Sequence, residues 1–173
     1  MVVYQMSVMP KHGVINGRFE SVLTIKYGKA VLQRLKMYGE GNVRLAYGGD
    51  FQSGAYLFDV NTISEEQIAE FDYIMPDIFL FDQQPFKTSK SGITTAGFPD
   101  LIIEIWSDGN KLSRRKELHS LYMTSPVSEV WYLNQENTLI ERWYKQRQLP
   151  NLDFRELIQT QNGLEFDLRD LAD

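Results

Sequence analysis

Asp100-Leu101-Ile102-Ile103-Glu104-Ile105-Trp106 is an almost unbroken apolar run with one acid inside it. Such a run predicts a strand covered on both faces, as at the centre of a sheet flanked by helices. Alternation along it puts Asp100, Ile102 and Glu104 on one face. An ionised carboxylate there costs several kcal/mol unless a cation or hydrogen-bond donors meet it. Glu104 therefore needs an arginine, a sheet edge open to water, or a metal ion. A second run, Asp77-Ile78-Phe79-Leu80-Phe81 after Pro76, predicts a second central strand. Asp77 alone reads equally well as a turn residue after a proline. Two acids on one face of neighbouring strands, however, can share a hard divalent ion such as Mg²⁺, which takes oxygen ligands and keeps several waters. Asp100, near the start of its strand, is a further candidate ligand.

After the strand, Ser107-Asp108-Gly109-Asn110 reads as a turn and Lys111 to Met123 as a helix with Leu118, Leu121 and Tyr122 inward, closed by Ser125-Pro126. Its start carries Lys111, Arg114, Arg115 and Lys116. These cations make either a solvated face or a phosphate contact, since a helix N-terminus already offers free N–H groups to an anion. At 100° per residue Lys111, Arg114 and Arg115 share the face of Leu118, whereas Lys116 projects away. His119 on the same helix reads as a surface or satisfied packing residue.

Glu129–Asn134 and Leu139–Lys145 pair through Gln135-Glu136-Asn137, and Phe154–Thr160 with Leu164–Leu168 form a C-terminal hairpin or edge. Trp143 and Tyr144, among Arg142, Lys145 and Arg147, read as sheet packing or a dimer contact rather than a base-stacking surface. Between the two apolar strands, Gln83 to Pro99 has no periodicity. It predicts a mobile loop at the rim of a cleft, with Lys87 and Lys90 toward substrate.

Toward the N-terminus, Phe19, Leu23, Tyr27, Val31, Leu35 and Tyr38 line one face of a helix running from Arg18 to about Tyr38, ended by Gly39-Glu40-Gly41-Asn42. Val43–Tyr47 and Gly54–Val60 read as a hairpin about Gly48-Gly49-Asp50, and Thr62 to about Glu70 as a short capped helix. The order of elements predicts an α/β domain with a mixed sheet and helices packed on it.

At 173 residues and 43% hydrophobic content, the chain fits a single domain spanning 1–173. No apolar stretch approaches the roughly 20 residues that span a bilayer, and no export signal opens the chain, so the expected compartment is the cytoplasm. The absence of Cys removes disulfides, thiolate metal sites and thiol nucleophiles, and only two His are present, so any metal is expected on oxygen. A net charge of −5 gives the whole chain no attraction for a phosphate backbone, leaving nucleic acid to a local basic patch.

Pro76-Asp77, Glu104 in its apolar strand, Ser107, the helix ending in Tyr122, and Glu129-Val130-Trp131-Tyr132-Leu133 together resemble the Uma-two-like family of nucleases, within the PD-(D/E)XK restriction-endonuclease-like superfamily. The likeness is clear from Met75 to Leu133 and fainter over the N-terminal helix and the C-terminal strands. It implies a restriction-endonuclease-like mixed central sheet flanked by helices. It also implies that Asp77 and Glu104 are catalytic, metal-binding acids, with the backbone carbonyl of Ile105 a further ligand for Mg²⁺ or Mn²⁺. The implied reaction is hydrolysis of a phosphodiester by metal-activated water. Nucleic acid, DNA in the first place, is the expected partner, with Arg114, Arg115 and Lys111 as phosphate contacts, and the expected assembly is a homodimer.

The chain departs from the family pattern where a lysine belongs. The place two residues after the glutamate is Trp106, and the alternative place on the following helix, four residues before the tyrosine, is Leu118. The acid that relatives contribute near the first helix has His12, Ile15 and Glu20 as its nearest counterparts, and Glu20 reads as a solvated helix position. These departures predict weak or absent cleavage. Two other readings stay open: a non-catalytic module of the same fold that binds nucleic acid or protein, and a structural homodimer whose acids hold a stabilising ion.

Overall fold

A computed structural model describes residues 10–27, 44–47, 61–70, 72–74, 76–88, 90, 94–107 and 109–172. In chain order the elements are α1 (Pro10–Tyr27), β1 (Arg44–Tyr47), α2 (Glu65–Glu70), β2 (Asp72–Ile74), β3 (Ile78–Leu80), β4 (Phe86–Thr88) and β5 (Thr94–Gly97). They continue as β6 (Leu101–Trp106), α3 (Leu112–Thr124), β7 (Glu129–Asn134), β8 (Leu139–Tyr144), β9 (Arg147–Asp153), β10 (Ile158–Gln159) and β11 (Glu165–Phe166), with a 3₁₀ turn at Arg169–Leu171.

The apolar run around Glu104 is β6, second in a five-stranded sheet of order β3-β6-β7-β8-β9. It runs antiparallel to β3 and parallel to β7, and every other pairing in the sheet is antiparallel. A parallel neighbour demands a long crossover, and α3 provides it. Both faces of β6 are covered. Leu101, Ile103 and Ile105 pack with Ile78, Leu80, Trp131 and Leu133 against Ile15, Phe19 and Leu23 of α1 and the C-terminal Phe154, Ile158, Phe166 and Leu168. Ile102, on the other face, packs with Phe79, Phe81, Val130 and Tyr132 against Tyr122 of α3. The fold is α/β, a mixed sheet flanked by helices.

The structure corrects several expectations. β3 is not central: among the described residues its one partner is β6, at the sheet edge. Its continuous apolar run reflects cover on both faces, Ile78 and Leu80 on one side and Phe79 and Phe81 on the other, rather than two hydrogen-bonded neighbours. Helix α1 begins at Pro10 instead of Arg18. Proline suits a first helical position, where its missing N–H is no loss, and the added turns bring Ile15 into the core. Val31, Leu35, Tyr38, the stop at 39–42, the turn at 48–50 and the strand expected at 54–60 lie outside the described residues. β1, expected in that hairpin, pairs with β2 and β5.

The stretch from Gln83 to Pro99 is not a structureless loop. It holds the antiparallel pair β4 and β5, part of a second sheet of order β2-β1-β5-β4. Gly97 closes this unit against the first sheet: at φ 148°, a Cβ there would lie 2.9 Å from both the Phe81 ring and the Pro85 carbonyl oxygen. Phe86 packs on Phe81 with ring centroids 5.0 Å apart. Lys87 does not face the acids, because its Nζ donates to the Ile63 carbonyl. The Lys90 N–H donates to Glu65 Oε2 at 3.1 Å, a second tie to α2. α2 itself starts with a reciprocal cap, Gln67 N–H to Ser64 Oγ at 3.2 Å and Ser64 N–H to Gln67 Oε1 at 2.9 Å.

The hairpins β7–β8 and β10–β11 form as expected, but β9 is additional. It folds back after Lys145 and Gln146, whose φ angles of 47° and 60° are those of a tight two-residue hairpin turn. Among the described residues no helix is long and apolar enough to cross a membrane.

Candidate metal centre

The register of β3 on β6 sets Ile78 opposite Ile103, so the next step outward sets Asp77 opposite Glu104. Directly opposed residues share a face, and this face is the one covered by α3. Asp77 is held at both oxygens. Oδ2 accepts the Ile105 N–H at 2.7 Å, and Oδ1 lies 2.9 Å from Nε2 of His12, which stands near the start of α1. One helical turn further on, Asn16 Nδ2 lies 3.4 Å from His12 Nδ1, while the Asn16 Oδ1 is buried without a partner.

Glu104 is 6% exposed, and its Oε1 accepts the hydroxyl hydrogen of Tyr122 from α3. Burial pushes its carboxyl up to about 8, the charge of Asp77 pushes the same way, and the Tyr122 hydrogen bond and the Arg114 charge oppose them more weakly. No lysine or arginine among the described residues forms an ion pair with it. Neither an arginine partner nor a wet edge serves it among the described residues; the Tyr122 hydroxyl and the proton that its raised pKa retains do. Two facing carboxylates, one buried and short of positive charge, make a donor set that fits a hard divalent cation. No three His, Cys, Asp or Glu side chains converge as a ligand cluster among the described residues.

Asp100 does not join them. Its Oδ2 accepts the N–H groups of Asp82, Gln83 and Gln84 at 2.7, 2.9 and 3.0 Å, capping the turn that follows β3. Of the acid counterparts near the first helix, Ile15 is in the core, His12 reaches Asp77, and the Glu20 side chain is outside what is described.

The basic residues divide. Arg115 donates to the Ser107 carbonyl, and its guanidinium sits 5.0 Å from the centre of the Trp106 ring. It braces the turn after β6. Arg114 is exposed, paired with Glu117 at 3.0 Å on its own helix, and is the cation whose charge Glu104 senses. Lys111 caps α3 through its carbonyl, which accepts the N–H groups of Arg114 and Arg115 at 3.0 and 3.1 Å, and its side chain is exposed. Both lysine positions of the family pattern are apolar in fact as well as in sequence: Trp106 stacks on Tyr132 with centroids 4.3 Å apart, and Leu118 packs into the cluster beneath α3.

His119 is satisfied packing. Its Nδ1 lies 2.9 Å from the Tyr132 hydroxyl, its ring meets Trp143 edge-on at 4.7 Å, and burial lowers its pKa. Trp143 likewise packs, with Nε1 donating to Glu141 at 2.7 Å, and Arg142 donates to the Pro150 carbonyl. The sequence reading missed Asn16 and did not join His12 to Asp77. The i, i+4 spacing of His12 and Asn16 becomes a signal only once α1 is started at Pro10.

The comparisons with known proteins bear on the family and the fold. The pattern of the Uma2 family, described as "Putative restriction endonuclease", matches residues 2–172. A crystal structure described as "a putative nuclease belonging to DUF820 from Anabaena variabilis ATCC 29413" superposes with a TM-score of 0.63 at 15% identity, covering 98% of this chain and 84% of that one. No curated protein matches. The likeness in fold accompanies a family match along nearly the whole sequence, and the chain belongs to the Uma2 family.

Proposed function

We propose that this chain is a single-domain, cytoplasmic nuclease that hydrolyses phosphodiester bonds of DNA with Mg²⁺ or Mn²⁺ held by Asp77, Glu104 and the Ile105 carbonyl. The observation that carries the reading is Glu104: a buried strand acid facing a second carboxylate, without an ion-pair partner among the described residues. A divalent ion bound there supplies Lewis-acid charge stabilisation and lowers the pKa of water.

The residues of the chain do the rest. The Ile105 N–H and His12 orient Asp77, and the Tyr122 hydroxyl orients Glu104. Arg114 and Lys111, exposed at the start of α3, offer positive charge to a phosphate. Arg115 contributes charge from behind Trp106 rather than as a free clamp. A guanidinium does not release a proton near neutral pH, so none of the arginines stands in for the lysine of the pattern, and turnover is expected to be slow.

The apolar setting of Trp106 and Leu118 favours a second reading, a non-catalytic module that keeps affinity for nucleic acid. Cleavage of plasmid and single-stranded DNA with and without Mg²⁺ or Mn²⁺ separates the two. The nuclease reading expects slow, EDTA-sensitive cleavage, abolished in Glu104→Ala and raised about 10- to 100-fold in Leu118→Lys by the return of a proton donor. DNA retained in EDTA, with no cleavage from the parent chain or from Leu118→Lys, establishes the module instead. The homodimer belongs to this proposal too, and sedimentation checks it.

A further inference from the structure

The geometry points to His12 as the residue that positions Asp77, acting as a hydrogen-bond donor behind the metal site and not as a ligand in it; this rests on the reading of Asp77 and Glu104 as the metal-binding pair. His12 is set apart from ordinary surface histidines by two contacts with named partners and by its burial. Its Nε2 is 2.9 Å from Asp77 Oδ1, its Nδ1 is 3.4 Å from Asn16 Nδ2, and its side chain is 12% exposed.

The hydrogen-bond roles follow from chemistry. A carboxylate oxygen accepts, so Nε2–H donates to Asp77 Oδ1, and Nδ1 faces the Asn16 amide one turn along the same helix. With the Ile105 N–H on Oδ2 at 2.7 Å, the carboxylate is gripped at both oxygens from two different elements, a strand and a helix. Each carboxylate oxygen has a second lone pair, so this grip fixes the plane of the group without exhausting its capacity to bind an ion. Asp77 begins an edge strand just after a proline, where few contacts would otherwise hold its rotamer. Outer-shell partners of this kind typically change metal affinity by 10- to 100-fold.

The test uses the full chain, with Mn²⁺ and Mg²⁺ added as simple salts. Calorimetry is expected to give an Mn²⁺ Kd about 10- to 100-fold weaker in His12→Ala, largely recovered in His12→Gln, whose amide N–H reaches in the same direction, while Glu104→Ala loses binding. Two measurements on the unmodified protein need no variant to fold. Imidazole ¹⁵N shifts should show the Nε2–H tautomer for His12 with and without Mg²⁺, and spin-echo spectra of bound Mn²⁺ should lack a directly coordinated nitrogen. Wild-type affinity in a folded His12→Ala overturns the inference, as does an Nδ1–H tautomer. A nitrogen coordinated to Mn²⁺ makes His12 a ligand and overturns it too. In each case a loss of binding in Glu104→Ala leaves the metal-site reading intact, whereas an unmodified chain that binds neither ion overturns both.

Discussion

Glu104 and Glu129 are buried to almost the same depth, 6% and 3% exposed, on neighbouring strands of one sheet, and their surroundings are built on opposite plans. Glu129 opens β7 on the α1 side. Its Oε1 accepts the Trp131 Nε1–H at 2.8 Å, and its two oxygens share the Gln161 N–H at 3.3 and 3.1 Å. Burial raises its pKa, but Gln161, Trp131 and the charge of Arg142 all favour the ionised form. Glu104, on the α3 side, has one phenolic donor and faces another carboxylate. Depth of burial is thus no guide to role. Glu129 is provided for from within the chain and anchors the segment around Gln161 to the sheet, whereas Glu104 has one donor and a facing carboxylate and keeps its proton up to about 8.

The sharpest break of this contrast is truncation of each acid without metal present. Glu129→Ala strands the Trp131 and Gln161 N–H groups in the interior and should cost about 3 kcal/mol in urea unfolding. Glu104→Ala leaves one donor, the Tyr122 hydroxyl, without its acceptor in place of two, so its loss should be clearly smaller. Equal losses would erase the distinction.

The pH dependence comes next in size. In the folded chain Glu104 holds its proton up to about 8, against an ordinary value of 4.5 once unfolded. The folded state therefore binds more protons across that window. The stability tied to Glu104 is fully present below 4.5 and is lost as pH rises through about 8. Glu129 contributes a slope of the same sign, so the measurement that isolates Glu104 is the difference between the parent and Glu104→Gln. Thermal melts from pH 5 to 8.5 should fall less steeply for the variant. Mg²⁺ at the upper end should restore stability in the parent alone.

The smallest effect expected is that of Tyr122→Phe. It removes the hydroxyl donor to Glu104 for about 1 kcal/mol and, by withdrawing an interaction that favours the ionised form, moves the loss of stability to higher pH.

What could be seen in the sequence were features whose cause is local. An acid between isoleucines is anomalous wherever it occurs, so Glu104 stood out before any fold was known. A continuous apolar run reports cover on two faces, but it cannot report position in the sheet, which is why β3 was misjudged as central. β9 was invisible for a related reason: Arg147-Gln148-Leu149-Pro150-Asn151-Leu152-Asp153 is mostly exposed, and Pro150 argues against a strand anywhere but an edge. Its turn is built from Lys145 and Gln146 at positive φ, where glycine or asparagine would have announced it. Asp100 misled because three amides that claim it come from Asp82, Gln83 and Gln84, whose backbone direction no side-chain pattern records. The grip of His12 on Asp77 spans 65 positions and two elements, and only the packed fold brings them together.

The seat of α1 sets an order of events during synthesis. Phe19 lies 4.0 Å from the Phe166 ring centre, and Arg18 donates to the Asp167 carbonyl at 3.0 Å and pairs with Asp170, contacts that join positions 149 and 152 residues apart. The strands carrying Asp77 and Glu104 leave the ribosome well before this seat exists. At 5–20 residues per second, the interval from Trp106 to Phe166 lasts on the order of several seconds. During that time the two acids are present while part of the seat of the helix that bears His12, Phe166 and Leu168 among it, is still missing. A nascent chain of this design passes through a stage with both acids made and the seat of α1 incomplete, closed only when the last strands arrive.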